Sequence, residues 1–74
     1  MILPTTPIGK IIYNETNGRG YGVYDPERCH MTVYFNGSTD EQRRVLMLKL
    51  RDYIDRRGLW NSFETITIQN TYTT

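Results

Sequence analysis

The segment from Ser38 to Gly58 constrains this chain more than any other part of it. It carries a start signal, an apolar stripe and a stop signal for one long helix. Ser38-Thr-Asp-Glu41 has the spacing of a capping box, in which a hydroxyl and a carboxylate three residues later satisfy each other's backbone N–H groups. Leu46, Met47, Leu50, Tyr53 and Ile54 recur at helical spacing on one face. Asp40 and Arg44, Arg51 and Asp55, and Asp52 and Arg56 are opposite charges four apart, each pair worth roughly 0.3 kcal/mol on a wet face. Arg56 and Arg57 suit the carbonyl end of a helix, and Gly58 sits where a left-handed cap belongs, with Leu59 able to fold back on the last turn. The spacing predicts a helix running to about Arg57. Val45 and Leu48 fall off its stripe. Either the core wraps further around the helix, or they mark a contact with another chain.

What precedes the helix reads as strands. Residues 1–8, with Pro4 and Pro7, are expected to form an extended arm, because proline lacks a donor and its predecessor avoids helix. Gly9 to Asn14 (GKIIYN) is rich in β-branched residues and predicts a first strand. Asn17-Gly18 is a strong hairpin signal, leading into a return strand from Tyr21 to Asp25. Asp25-Pro-Glu-Arg28 predicts a turn, and His30 to Asn36 (HMTVYFN) a third strand. On that strand the period of two puts Met31, Val33 and Phe35 on one face and Thr32 and Tyr34 on the other. After the helix and a loop anchored by Trp60, Phe63 to Tyr72 alternates, with Ile66 and Ile68 opposite Thr65, Thr67 and Gln69.

The expected fold class is therefore α+β. A small antiparallel sheet in the order β-β-β-α-β carries one packed helix, and it is either open or closed into an OB-like barrel. All 74 residues form one domain. The expected core is Ile11, Met31, Val33, Phe35, Leu46, Leu50, Ile54, Trp60, Ile66 and Ile68. A chain this short buries only about 60% of the surface its unfolded form exposes. A thin core beside an open sheet edge predicts self-pairing, and a homodimer is expected.

Composition narrows the chemistry. One Cys and one His give neither a disulfide framework nor the four ligands of a structural zinc site, so no metal or cofactor is expected. Cys29 and His30 are adjacent, and adjacent side chains on a strand point to opposite faces, which is a poor start for a nucleophile and its base. The chain reads as a non-enzyme. Met1-Ile-Leu-Pro has no basic leader, and no apolar run nears the roughly 20 residues of a membrane span, so a cytoplasmic location is expected. Nine Lys and Arg against eight Asp and Glu exclude binding driven by net charge alone.

Six Tyr outnumber two Phe and one Trp, and tyrosine suits half-wet surfaces. Arg19-Gly-Tyr-Gly-Val23 is followed by Met31-Thr-Val-Tyr-Phe35, so in a meander Tyr21 and Tyr34 meet on one sheet surface beside glycines that leave the ring of Tyr21 uncovered. The run GKIIYN, GRGYGVYDPE, MTVYF resembles the first half of a cold-shock domain, over residues 9–35. That family is a five-stranded OB-type barrel that stacks single-stranded RNA or DNA bases on aromatics. The resemblance implies that Arg19 stands for the family's motif lysine, Tyr21 for its first stacking Phe, Tyr34 for a His and Phe35 for the Phe after it. Val23 and Thr32 stand where the family has two further Phe residues, and Tyr13 is the nearest match to its strand-one Trp.

Two functions follow as expectations. One is a single-stranded nucleic-acid-binding module, with Tyr13, Tyr21 and Tyr34 stacking bases and Lys10 and Arg19 on phosphates. The other is a small protein-interaction module, a dimeric adaptor or an inhibitor of a larger protein, using Val45, Leu48 and an exposed strand edge. The order of the motifs favours the first, which is the leading expectation, while the balance of charge over residues 9–35, where Lys10, Arg19 and Arg28 face Glu15, Asp25 and Glu27, pushes toward the second as its alternative.

Overall fold

Pro7 follows a threonine, and that pair opens a helix. In the computed structural model, which describes residues 6–70, the order is α1 (Pro7–Thr16), β1 (Gly20–Asp25), β2 (His30–Phe35), α2 (Asp40–Arg57) and β3 (Thr65–Gln69). The Thr6 hydroxyl accepts from the backbone N–H of Gly9 at 2.9 Å, and Pro7 takes the first helical position, where its missing donor costs nothing. The expected first strand, Gly9 to Asn14, is thus helical. Its period is 3.6 rather than two: Ile8, Ile12 and Thr16 recur every four residues and, with Gly9, are the buried ones. Ile11, expected in the core, is half-buried beside it. The arm expected over 1–8 gives way to helix from Pro7, and residues 1–5 lie outside the described residues.

Asn17-Gly18 is not a hairpin turn. Asn17 (φ 54°) caps α1 in the left-handed conformation, its N–H reaching the carbonyl of Asn14 at 3.4 Å, and Gly18 (φ 79°) continues the reversal. Both structures need positive φ at these two residues, so the local signal is shared and the neighbouring pattern decides between them.

The hairpin falls one connection later, where expected. β1 and β2 pair antiparallel from Gly20 opposite Phe35 to Asp25 opposite His30. An Asp25 carboxylate oxygen accepts from the N–H of Glu27 at 3.0 Å, and Cys29 takes positive φ (51°) to bring the chain back. The 18 residues of α2 span about 27 Å and carry the chain back across the sheet, so β3 lies parallel to β2, from His30 beside Thr65 to Tyr34 beside Gln69. The order expected as β-β-β-α-β is α-β-β-α-β, and the sheet, expected antiparallel, is mixed. It has three strands in the order β1-β2-β3 and is not closed into a barrel.

The long helix ends at Arg57 as its signals require. Its cap is Thr39 rather than Ser38: Thr39 and Gln42 form the capping box. Ser38 is buried and donates to the carbonyl of Phe35 at 2.9 Å, closing the turn out of β2. Gly58 adopts φ 63°, and the N–H of Leu59 reaches the carbonyl of Ile54 at 3.0 Å.

Leu46, Leu50 and Ile54 of α2 and Ile8 and Ile12 of α1 meet Met31, Val33 and Phe35 of β2 in one core. Trp60, Ile66 and Ile68, expected inside, are half-buried against it. The two helices are joined by Lys49, which donates to a Glu15 carboxylate oxygen at 3.0 Å. Thr16 locks α1 to the sheet. Its hydroxyl is fully buried, donates to the carbonyl of Ile12 at 2.7 Å and accepts from the N–H of Gly20 at 3.0 Å. The approach needs a glycine: a Cβ at position 20 would sit 2.7 Å from the Thr16 methyl and 3.0 Å from the Tyr34 carbonyl oxygen.

Two substitutions test this junction by denaturant unfolding. Gly20→Ala lowers stability by about 1–3 kcal/mol, because the backbone has to move apart. Thr16→Val lowers it by about 1 kcal/mol or more, because it strands the Gly20 donor. A Gly20→Ala protein as stable as wild type contradicts the close approach.

Candidate binding face

Strand alternation sorts the sheet into two faces. Met31, Val33 and Phe35 of β2 face both helices. The opposite face is built in three rows across β1, β2 and β3: Tyr21, Tyr34 and Gln69; Val23, Thr32 and Thr67; Asp25, His30 and Thr65. Since α1 and α2 both bury their apolar residues on the inner side, none of the described elements covers this outer face. Tyr21 is 44% and Val23 38% exposed, high for an aromatic and an aliphatic side chain on a sheet.

Tyr21 and Tyr34 lie directly opposite each other, as the sequence pattern requires. Their ring centroids are 5.2 Å apart, within the contact range of aromatic pairs, and the planes are tilted by 32°. At the far end of the face the chemistry is polar and internally paired. His30 Nδ1 hydrogen-bonds the Thr65 hydroxyl, and Arg28 Nε lies 3.9 Å from an Asp25 carboxylate oxygen. Cys29, next to His30 in sequence, has a different partner: its thiol donates to the Pro26 carbonyl at 3.8 Å.

The five residues expected to hold nucleic acid do not come together. Lys10 and Tyr13 are exposed on α1, which packs on the inner face, and the ring of Tyr13 lies over Gly18. Arg19 turns to the inner side, with its guanidinium carbon 5.8 Å from the centroid of the Phe35 ring. Only Tyr21 and Tyr34 share the outer face, and no Lys or Arg stands within its three rows. The middle row of Val23, Thr32 and Thr67 joins them. Thr67 was missed as a neighbour because its pairing depends on the parallel placement of β3, although the alternation in TITIQ already turns it away from the core.

Val45 and Leu48 are exposed at 41% and 63%, so the core does not wrap round to them. They line different hollows. Val45 shares one with Glu15 and Gln42 on the α1 side, and Leu48 shares another with Met47, Arg51 and Trp60 toward β3.

Tyr24 projects inward from β1 into an apolar hollow with Pro7, Ile8, Tyr53, Leu59 and Phe63. Its ring centroid is 5.1 Å from that of Phe63, and its hydroxyl donates to the Ser62 carbonyl at 2.5 Å. Burial is the main cause that raises its pKa above the ordinary 10.0, with the Cys29 thiol and the Asp25 carboxylate adding to it.

Among the described residues no group of three or more His, Cys, Asp or Glu is placed to hold a metal ion, and no helix is long and apolar enough to cross a membrane. No family model matches the chain, and neither a curated protein nor a solved structure matches it.

Two measurements check this geometry. A double-mutant cycle on Tyr21→Ala and Tyr34→Ala, read by denaturant unfolding, gives a favourable coupling of about 0.5–1.5 kcal/mol, and zero coupling contradicts the ring contact. In an alkaline titration followed by tyrosinate absorbance, Tyr24, identified by its loss in Tyr24→Phe, ionises above the ordinary 10.0. The folded state holds its proton longer than the unfolded chain does. Its contribution is therefore intact below pH 10.0 and is lost as pH rises through the elevated value. The loss of stability above that pH is shallower in Tyr24→Phe.

Proposed function

We propose that this chain is a small non-catalytic protein-interaction module whose outer sheet face is the docking surface. The observation that supports this reading is a bare face carrying the paired Tyr21 and Tyr34 rings with no Lys or Arg in its rows. Tyrosine offers a large, rigid, half-polar contact area, and it is enriched at protein interfaces while charged residues are depleted at their centres. Thr32 and Thr67 in the next row bring short hydroxyls that hydrogen-bond without bringing charge. A polyanion would gain little on such a face. Each phosphate neutralised on a single strand contributes a salt slope of about −0.7, and Arg19, the basic residue nearest the rings in sequence, is turned onto Phe35.

The second reading, single-stranded RNA or DNA stacked on the tyrosines, is favoured by the Tyr21–Tyr34 pair itself, since base–aromatic stacking is worth about 1–3 kcal/mol per base. The cold-shock resemblance lends it less support than the motifs suggest. The residues aligned with the family's first strand are helical here, and the sheet is open.

One experiment separates the two. A photoreactive phenylalanine analogue is placed at Thr32, in the middle row beside Val23 and next to the tyrosine row, in the full chain expressed in its native cells. Irradiation is expected to give a protease-sensitive adduct that is lost in a Tyr21→Ala/Tyr34→Ala background. A nuclease-sensitive adduct, together with binding of oligo-dT or oligo-U at low salt, overturns the protein reading in favour of nucleic acid. No adduct at all overturns both.

A further inference from the structure

We infer that β3 pairs with β3 of a second copy, giving a two-fold dimer built on one continuous six-stranded sheet. This goes beyond the reading of the outer face and uses a different surface. β3 is an edge strand: among the described residues it pairs with β2 on one side and with nothing on the other. Native proteins blunt such edges with lysines and other charges, prolines or bulges. Thr65–Gln69 has none of these. It is five residues of threonine, isoleucine and glutamine with no charge, and its nearest charge is Glu64. The other edge, β1, carries more obstacles to pairing. It holds Gly20 and Gly22, is locked to α1 at Gly20, and ends in Asp25-Pro26.

The flank beside β3 is mixed. Met47 and Trp60 line a groove of about 270 Å³ with Thr65 and Ile66 of the strand, and Arg51 and Glu64 stand at the same groove. Leu48, the most exposed of the large hydrophobics among the described residues, lines the adjoining hollow with Met47 and Trp60. Ile66 and Ile68 are only half-buried although they point inward. A strand added at this edge covers both and brings its own helix alongside Leu48.

A second copy suits the edge for a specific reason. An antiparallel pairing centred on Thr67 sets Ile66 against Ile68 of the other copy on the inner face and Thr65 against Gln69 on the outer face. Glu64 then faces Asn70 of the other copy rather than its own symmetry mate, so no like charges meet in the ladder. The side-chain period of two keeps apolar residues on one side throughout. With the two-fold axis perpendicular to the sheet, the outer faces of both copies stay uncovered and on the same side. A dimer therefore presents two tyrosine pairs together.

The test is sedimentation of the full chain over micromolar to millimolar concentration, with two substitutions at the axis. The wild type is expected to dimerise. Thr67→Lys places like charges directly opposite each other and weakens the dimer by about 100-fold or more while leaving the far-ultraviolet spectrum unchanged. In a Cys29→Ser background, Thr67→Cys is expected to give a covalent dimer on mild oxidation, since opposed residues of an antiparallel pair stand at disulfide distance, whereas Val23→Cys on β1 does not. A wild type that stays monomeric throughout, or a Thr67→Cys protein that does not cross-link, overturns the dimer. A monomeric wild type that still gives the protease-sensitive adduct at Thr32 overturns the dimer alone and leaves the docking face standing.

Discussion

The buried Thr16 hydroxyl and its approach to Gly20 decide which side of the sheet is covered. Through that contact α1 leaves its last turn and enters β1 with almost no intervening chain. The helix is held against the inner face, where Ile8 and Ile12 meet the residues of β2, and it cannot reach the other side. α2 crosses on the same inner face because the return from β2 to a parallel β3 needs a connection as long as the sheet. With both helices committed to one side, the described chain has no element left for the other. The exposed tyrosines follow from this shortage of covering structure.

The parts of the fold that local chemistry dictates were legible in the sequence. The α2 helix ends at Arg57 with a left-handed Gly58 because the stripe, the flanking charges and the glycine all agree. The hairpin of β1 and β2 follows from alternation on both sides of an Asp-Pro turn. The first element was misread because GKIIYN has β-branched residues and a following Asn-Gly, both consistent with a strand and hairpin. The deciding signals lay outside that window, in Thr6-Pro7 as a helix start and in the four-residue recurrence of Ile8, Ile12 and Thr16. The direction of β3 was beyond local reading altogether. An alternating strand looks the same whether it runs parallel or antiparallel, and only the span of the crossover decides.

The binding face shows the same division. That Tyr21 and Tyr34 share a surface follows from period two and one hairpin register, so it was visible in the sequence. Membership of Lys10 and Tyr13 depended on a first strand that is a helix, and that of Arg19 on a hairpin turn that is the helix cap instead; all three lie elsewhere. Their departure changes the electrostatics. What remains is a face without Lys or Arg, with two rings, a valine and threonines and with Asp25 and His30 at its far end, better matched to a protein surface than to a phosphate backbone. Charge balance across residues 9–35 already pointed this way, and the structure supplies the reason that the basic residues present do not gather.

Solvent paramagnetic relaxation measured by nuclear magnetic resonance on the free protein tests most directly whether one sheet face is bare. With a neutral gadolinium agent in solution, the ring protons of Tyr21 and the methyls of Val23, Thr32 and Thr67 should relax strongly, while the methyls of Ile8, Ile12, Met31 and Val33 stay shielded. A helical four-residue recurrence of shielding should run through Ile8, Ile12 and Thr16. Shielding of the Tyr21 ring and Val23 as deep as that of Met31, or an every-second-residue pattern from Gly9 to Asn14, would contradict a fold in which both helices cover one face and leave the tyrosines open.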